Sequence, residues 1–406
     1  MIINTNKKVC VLGLGYIGLP TSALLANRGF QVRGVDVKQS IVDTINNGDI
    51  HIVEPDLDTF VRAAVESGNL RAYLTPDYAD VFIIAVPTPF KNNYEPNIDY
   101  VLQSVESMAP FLKKENIIIL ESTSPPGTTE KIKEILVEKN VDVSNIYIAH
   151  CPERVLPGFI MKELIENDRI IGGINYESTL KAAEFYKTFV KGEVIFTDAK
   201  TAELSKLTEN SFRDVNIAFA NELSMICDKL NIDVHELIQL ANHHPRVNIL
   251  NPGPGVGGHC IAVDPWFIVH SAPENSSFIK KARETNLLKT KWVIEKIKKV
   301  AYEFENKNNK KPVIGCFGLA YKADIDDLRE SPALEIAKEI KSDNHTILAV
   351  EPNCDEVKEF QLFSFGEAFE KSDICVFLVA HKEFKEQYEH KNKIILDFCG
   401  VTKKKL

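Results

Sequence analysis

The sequence predicts an α/β protein built from doubly wound parallel sheets. Three observations carry this. Runs such as VFIIAV at 81–86 and IIIL at 117–120 are apolar at every position, as strands covered on both faces must be. These runs alternate with amphipathic stretches through the first part of the chain, the pattern of a sheet wound with helices. After a long helical interruption the same alternation returns past residue 311, which marks a second, smaller α/β unit.

Taken in order, strands are expected at Val9–Gly13, Gln31–Val35, Val81–Val86, Ile117–Glu121, Ile146–His150 and Arg169–Gly172, within a first domain at 1–198. Thr201–Leu230 then runs without Gly or Pro, with Phe212, Val215, Ala218, Phe219, Leu223 and Ile226 at three- and four-residue steps. A helix of this length spans ~45 Å and exceeds the globular norm, so it joins domains or lies in a subunit interface. A Pro/Gly-rich loop, His244–Asp264, and a helix over Lys281–Phe304 complete a central region at 199–305. The polar run Glu305–Lys311 reads as a surface linker. Strands at Pro312–Phe317, Thr346–Val350, Ile374–Val379 and Ile394–Phe398, with a helix over Ala333–Lys341, form the last domain, 306–406. Lys403–Lys405 reads as a solvated tail.

Composition excludes several classes. The chain carries 48 Lys+Arg against 57 Asp+Glu, so it lacks the basic balance of a nucleic-acid binder. No apolar run reaches the ~20 residues that span a bilayer, and the N-terminus shows no secretory core. Eight scattered Cys without a C-x-x-C pair read as reduced thiols of a cytoplasmic protein.

Gly13, Gly15 and Gly18 follow the first strand in the G-x-G-x-x-G pattern of Rossmann dinucleotide sites. The first glycine makes the turn, the second admits the pyrophosphate, and the third lets helix and strand pack. The phosphates would meet backbone N–H groups at the helix start, around Tyr16 and Ile17. Asp36, 21 residues after Gly15, ends the second strand. A carboxylate there accepts both ribose hydroxyls and repels a 2′-phosphate, which selects NAD over NADP. Thr88 and Thr123 follow the third and fourth expected strands, where they can reach the cofactor or simply close local turns.

The most informative stretch is NPGPGVGGHCIAVDPW, Asn251–Trp266. Its glycines and prolines exclude helix and central strand. Cys260 follows them, and Asp264 lies four residues on. A cysteine in such a loop near bound NAD suggests thiolate addition to an aldehyde, hydride loss to a thioester, and hydrolysis to a carboxylate. Lys206 and Asn210 share one helix face and offer an ammonium and an amide to the oxyanion. His243, His244, His259 and Cys260 do not have the spacing of a tetrahedral metal site, so no metal is expected.

GLGYIGLP, AVPTPF, EST, CPERVLPG, ELSKLTENSFRDVNIAFANE, HPRVNILNPGPGVGGHCIAVDPW and GLAYKADIDDLRESPA occur in this order along the whole chain. Together they resemble the UDP-glucose/GDP-mannose dehydrogenase family, whose members use NAD to oxidise C6 of a nucleotide sugar twice. The resemblance implies two Rossmann-like domains joined by a long central helix, and a homodimer formed through that helix. By matching motifs, it implies Cys260 as nucleophile and Lys206 as oxyanion stabiliser. It further implies Asn210, Asp264 and Thr123 as holders of the water, and Glu153 as base for thioester hydrolysis. Arg329 would reach the NAD phosphates, Tyr321 and Lys322 the nucleotide sugar, and Arg246 a partner subunit's active site. Val155, Leu156, Asn248 and Gly257 fall in the substrate motifs. Arg154 after Pro-Glu, and His259 before the nucleophile, resemble the branch acting on UDP-N-acetylhexosamines. Both are expected to serve an acetamido carbonyl. Within that branch CPERVLPG and GGHCIAVDPWF favour the N-acetylmannosamine epimer over N-acetylglucosamine, with UDP-glucose less favoured. A two-electron dehydrogenase would not need Cys260, and an inactive nucleotide-sugar scaffold would not need every chemical position filled.

Overall fold

The computed structural model describes residues 7–91, 94–258, 260–385 and 393–402. The chain divides into two compact units: Met1–Thr208 with Trp266–Ser271, and Glu209–Pro265 with Ala272–Leu406.

The first unit is built on eight strands: β1 (Lys8–Leu12), β2 (Gln31–Val35), β3 (Leu70–Tyr73), β4 (Val81–Ile84), β5 (Ile117–Leu120), β6 (Tyr147–His150), β7 (Arg169–Gly173) and β8 (Val194–Asp198). They lie in the order β3-β2-β1-β4-β5-β6-β7-β8. Every neighbouring pair is parallel except β6 and β7, where Ala149 faces Gly173 and His150 faces Gly172. The alternation of side chains fills both faces. Val9, Val11, Ile83 and Ile119 enter one core, while Cys10, Leu12, Phe82, Ile84, Ile118 and Leu120 enter the other. The strand order reverses between β1 and β4, so the loops after these strands diverge and open a crevice at their carboxyl ends.

Two strands escape the sequence reading, β3 and β8, and both lie at sheet edges. LRAY alternates buried and exposed residues, and VIFTD is mostly exposed, so neither shows the continuous apolar run of an interior strand.

The second unit contains most of the long helix Ala199–Leu230, the helix Ser277–Asn308, and a four-stranded parallel sheet. Its strands are β9 (Val313–Phe317), β10 (Thr346–Val350), β11 (Ile374–Phe377) and β12 (Ile394–Asp397), in the order β10-β9-β11-β12. One face packs Ile314, Cys316 and Val376 under the Pro332–Ser342 helix, and the other packs Phe317, Phe377, Phe369 and Phe384.

The linker expected at Glu305–Lys311 is corrected here: the helix continues to Asn308 and stops where Asn309 turns left-handed, φ 49°. Polar residues mark exposure, but Glu and Lys are good helix formers, and the asparagine supplies the stop. Lys403–Lys405 lies outside the described residues.

Candidate active site

The turn after β1 shows why each glycine stands where it does. Gly13 has φ +92°, and a Cβ there would sit 2.6 Å from the Ala85 carbonyl oxygen. A Cβ on Gly18 would fall 1.8 Å from the Gly13 carbonyl oxygen. A Cβ on Gly15 would meet nothing within 4 Å. Two glycines are therefore required by the fold, and the middle one keeps open space above the turn. The helix Gly18–Asn27 follows with no side-chain cap on its first N–H groups. Tyr16 and Ile17 precede it, Tyr16 exposed and Ile17 half-buried. An uncapped helix start behind an open glycine suits a pyrophosphate, so these residues fit NAD.

Asp36 follows β2 and does two things. Its Oδ2 accepts from the Leu14 N–H at 3.2 Å, and its Oδ1 from the Lys38 N–H at 3.0 Å. The carboxylate thus holds the glycine turn in place. Thr88 is buried, and its hydroxyl donates to the Thr123 carbonyl at 2.6 Å. Thr88 therefore ties the loop after β4 to the loop after β5, and the half-buried Thr123 is the more available hydroxyl.

Glu153, after β6, is 7% exposed. Its Oε2 accepts from Arg169 Nη1 at 2.5 Å, and its Oε1 from the Arg154 N–H at 2.7 Å. The following segment is anchored from two sides. Glu54 accepts from the Gly158 and Ile160 N–H groups, both at 2.8 Å, and Glu163 from the Leu156 N–H at 2.7 Å. Arg154 is half-buried and Leu156 exposed, whereas Val155 packs against the core of the first unit and serves the fold.

The helix Ala199–Leu230 carries Lys206 and, one turn on, Asn210. Asn210 Nδ2 donates to Asp264 Oδ2 at 2.6 Å. Asp264 is 3% exposed and opens the helix Asp264–Ser271, while Cys260 is exposed in the turn before it. The Cys260 carbonyl accepts from the Val263 and Asp264 N–H groups, at 3.0 and 2.9 Å, which fixes the Cys260 backbone against the helix start.

The glycines of this loop are packed closely. A Cβ on Gly257 would meet the Glu330 carbonyl oxygen at 2.4 Å, and one on Gly258, φ +80°, would meet the Tyr321 ring at 2.8 Å. Gly258 N–H also donates to the Arg329 carbonyl at 3.3 Å. The Cys260 loop, Tyr321 and the 329–332 turn are thus brought together. Burial pushes the Tyr321 phenol up, with Asp327 and Cys260 adding to the effect. The Arg329 guanidinium is held by Asp327 through bonds of 2.6 to 3.1 Å, and Lys322 is exposed. Arg246 and Asn248 are exposed on a loop that Asn242 closes, donating to the Ile249 carbonyl and accepting from its N–H. His259 lies outside the described residues.

Sequence reasoning missed what holds the Cys260 loop. The buried Asp214 accepts from Arg283 Nη1 at 2.7 Å and from Asn286 Nδ2 at 2.8 Å. Asn221 donates to Asn286 Oδ1 at 2.8 Å and accepts from the Gly253 N–H at 2.9 Å. Thr290 donates to the Pro254 carbonyl at 3.0 Å. Lys289, 2% exposed, donates to Ser224 at 2.8 Å and lies 3.9 Å from the Trp292 ring centroid. Asp228 pairs with Lys296 further along. Burial pushes the Asp214 carboxyl up to about 6, against the pull of Arg283, and pushes Lys289 down to about 7. The signal for these residues was polar positions repeating along the inner faces of two long helices, but the partners lie 65 or more positions apart.

Among the described residues, Asp324, His381 and Glu383 place ligand atoms within 4.8 Å of one another. His381 Nδ1 already accepts from the Asp324 N–H at 3.0 Å, and its Nε2 faces Glu351 Oε2 at 3.1 Å. With both ring nitrogens engaged, this trio reads as a structural knot.

Comparison with known proteins agrees with this arrangement. Three models of the UDP-glucose/GDP-mannose dehydrogenase family match in order: the NAD binding domain at residues 7–190, the central domain at 200–287, and the UDP binding domain at 315–404. The chain is 54% identical to the UDP-N-acetyl-D-mannosamine dehydrogenase of Campylobacter jejuni, covering 98% of this chain and 100% of that one. It is 51% identical to an NDP-N-acetyl-D-galactosaminuronic acid dehydrogenase of Ralstonia nicotianae, covering 97% and 96%. Among solved structures, a UDP-D-ManNAc dehydrogenase from Pyrococcus horikoshii superposes with a TM-score of 0.89 at 37% identity, covering 98% and 96%. Fold, glycine turn and Cys260 loop therefore have one common explanation: the chain belongs to the UDP-glucose/GDP-mannose dehydrogenase family of NAD-dependent oxidoreductases.

Proposed function

We propose that this chain oxidises UDP-N-acetyl-D-mannosamine at C6 to the uronate, for cell-surface polysaccharide synthesis. The Gly13–Gly18 turn would hold NAD, which when bound would supply the hydride acceptor for both oxidations. The C6 aldehyde made in the first is attacked by the Cys260 thiolate, and Lys206 and Asn210 stabilise the oxyanion. After the second hydride leaves, the thioester is hydrolysed by a water held near Asn210, Asp264 and Thr123, with Glu153 as base. Tyr321, Lys322, Asn248, Gly257 and Leu156 receive the nucleotide sugar, Arg154 and His259 its acetamido group, and Arg329 the NAD phosphates. The observation that carries the reading is the direct Asn210–Asp264 bond one turn below Cys260, in a chain 54% identical to a mannosamine enzyme over its whole length.

The test supplies NAD and, separately, UDP-linked N-acetylmannosamine, N-acetylglucosamine, N-acetylgalactosamine and glucose. Two NADH per sugar with the mannosamine substrate is expected. The galactosamine arm matters because of the Ralstonia relative, and two NADH there alone would move the substrate to that epimer. One NADH per sugar would overturn the Cys260 chemistry.

The enzyme works as a homodimer through the central helix. Phe212, Phe219 and Ile226 recur every seven residues, followed by Leu230, and they are 71%, 57%, 47% and 60% exposed. Such a stripe is costly to leave in water. Arg246 completes the partner's site. Phe219→Glu should halve the mass seen in sedimentation, and an unchanged mass would exclude this stripe. Among the described residues no helix is long and apolar enough to cross a membrane. The reaction belongs in the reducing cytoplasm, where the Cys260 thiol stays reduced.

A further inference from the structure

We propose that Glu121 is a positioning residue for the hydrolytic half of the reaction: it forms a buried proton-sharing cluster with Tyr186, Arg169 and Glu153, and its charge sets how strongly Glu153 takes a proton from water. This rests on the reading of Glu153 as base. Glu121 directly follows β5 and is 3% exposed. Tyr186, the last residue of the helix Tyr176–Tyr186, donates to Glu121 Oε1 at 2.6 Å. Arg169, on β7 and 2% exposed, donates to Glu153 Oε2 and, through Nη2, to the Leu164 carbonyl at 3.0 Å. Its guanidinium carbon lies 5.8 Å from the Tyr186 ring centroid.

The charge count decides the protonation. The cluster holds two carboxyls and one guanidinium, all buried, so with both acids ionised it carries an uncompensated negative charge. Arg169 is bonded to Glu153, which leaves the proton to Glu121. Glu121 Oε2 is buried with no hydrogen-bond donor, a poor place for half of a carboxylate. Burial pushes Glu121 up to about 7, the Glu153 charge acts the same way, and Tyr186 and Arg169 oppose both. The other groups facing it do not titrate near neutrality. Burial pushes the Cys151 thiol up to about 12 and the Tyr186 phenol well above its usual value, and it pushes His150 down to about 3.

In hydrolysis the water oxygen bonds to the thioester carbon and its proton passes to Glu153. The C–S bond then breaks, Cys260 leaves as thiolate, and the sugar leaves as a carboxylic acid that loses its remaining proton to solvent. When Glu121 is neutral, the one charge beside Glu153 in the cluster is the Arg169 guanidinium bonded to it. When Glu121 ionises, the added negative charge raises the proton affinity of Glu153, and the step speeds up.

The experiment follows hydrolysis in single turnovers with NAD and UDP-N-acetylmannosamine, or the sugar the panel above selects. Quenched enzyme is weighed by intact-protein mass spectrometry for sugar bound at Cys260, between pH 5.5 and 9. Wild-type hydrolysis should rise through an inflection near pH 7. Glu121→Gln, fixed in the neutral state, should match wild type near pH 6 and be slower on the order of tenfold at pH 8.5, with acyl-enzyme accumulating. Tyr186→Phe, which removes a bond favouring the ionised acid, should move the inflection to higher pH and serves alone if the first variant does not fold. An inflection kept in Glu121→Gln, or equal slowing at pH 6 and 8.5, overturns the proposal, as does an unmoved inflection in Tyr186→Phe. Glu153→Gln tests the underlying reading separately: it should trap acyl-enzyme at every pH, and normal hydrolysis there removes Glu153 as base.

Discussion

Replacing Gly15 with alanine should separate cofactor binding from folding, because the added methyl meets no protein atom within 4 Å. Stability without cofactor should hold or rise by a few tenths of a kcal/mol, since alanine restricts the unfolded chain. Gly18→Ala is the contrast. Its methyl would lie 1.8 Å from the Gly13 carbonyl oxygen, far inside contact distance, and the turn must move. That costs ~1–3 kcal/mol or more. The cofactor consequence can be read in a thermal melt. At a hundredfold excess over Kd, NAD adds about 2.7 kcal/mol to the folded state. For a unit of this size that is roughly 5–10 °C in Tm. If the Gly15 methyl weakens NAD a hundredfold, the same concentration adds only about 0.4 kcal/mol, roughly 1 °C. Melts with and without NAD therefore distinguish three proteins: wild type with a large shift, Gly15→Ala with a normal base temperature and almost no shift, and Gly18→Ala with a lowered base. A full NAD shift in Gly15→Ala would show that the pyrophosphate does not approach this turn.

Cys260→Ala should abolish uronate formation and keep the NAD-induced thermal shift; a protein that no longer folds would make the loop's role structural. Asp36→Asn keeps an acceptor for the Leu14 N–H while removing the charge, so the ratio of NAD to NADP affinity should fall about tenfold, of the order of one charged hydrogen bond. An unchanged ratio takes Asp36 out of cofactor selection. Lys289→Met should stabilise the fold at neutral pH. Burial lowers this lysine from 10.5 to about 7, so between those values the unfolded chain holds a proton that the folded chain does not. Its contribution to stability therefore rises with pH across that window, and the penalty is greatest below about 7. The variant's advantage in Tm should be largest at pH 6 and shrink by pH 10, and a pH-independent difference would mean that the ammonium stays charged throughout.

The interior strands were legible because two-sided burial writes itself as unbroken apolar runs, as in Val81–Ile84 and Ile117–Leu120. The edge strands were not, since exposure on one side erases the run, as in Leu70–Tyr73. Gly13, Gly15, Gly18 and Asp36 were readable as a local pattern because their chemistry is carried by spacing along one strand and turn. Asn210 and Asp264 came from motif, and their hydrogen bond joins positions 54 apart. Glu121, Arg169 and Lys289 were invisible for a different reason: charged residues are mostly exposed, and nothing local marks the few that are buried. Their burial is decided by strands and helices far away in the sequence.

The paired polar residues of the two long helices ascend together, from Asp214 with Arg283, through Asn221 with Asn286 and Ser224 with Lys289, to Asp228 with Lys296. The helices thus run in the same direction and are keyed to each other at one setting. An apolar seam tolerates sliding, because one leucine replaces another at small loss. Here a shift of one turn, ~5.4 Å, would unmatch every pair at once, and a broken buried ion pair alone costs ~3–5 kcal/mol. The joint has one notch and no neighbouring stop. Because Asn221 and Thr290 also grip the backbone at Gly253 and Pro254, the loop leading to Cys260 takes its place from that notch. Damage to the joint should therefore abolish the placement of Cys260 outright, leaving no series of slightly misplaced intermediates.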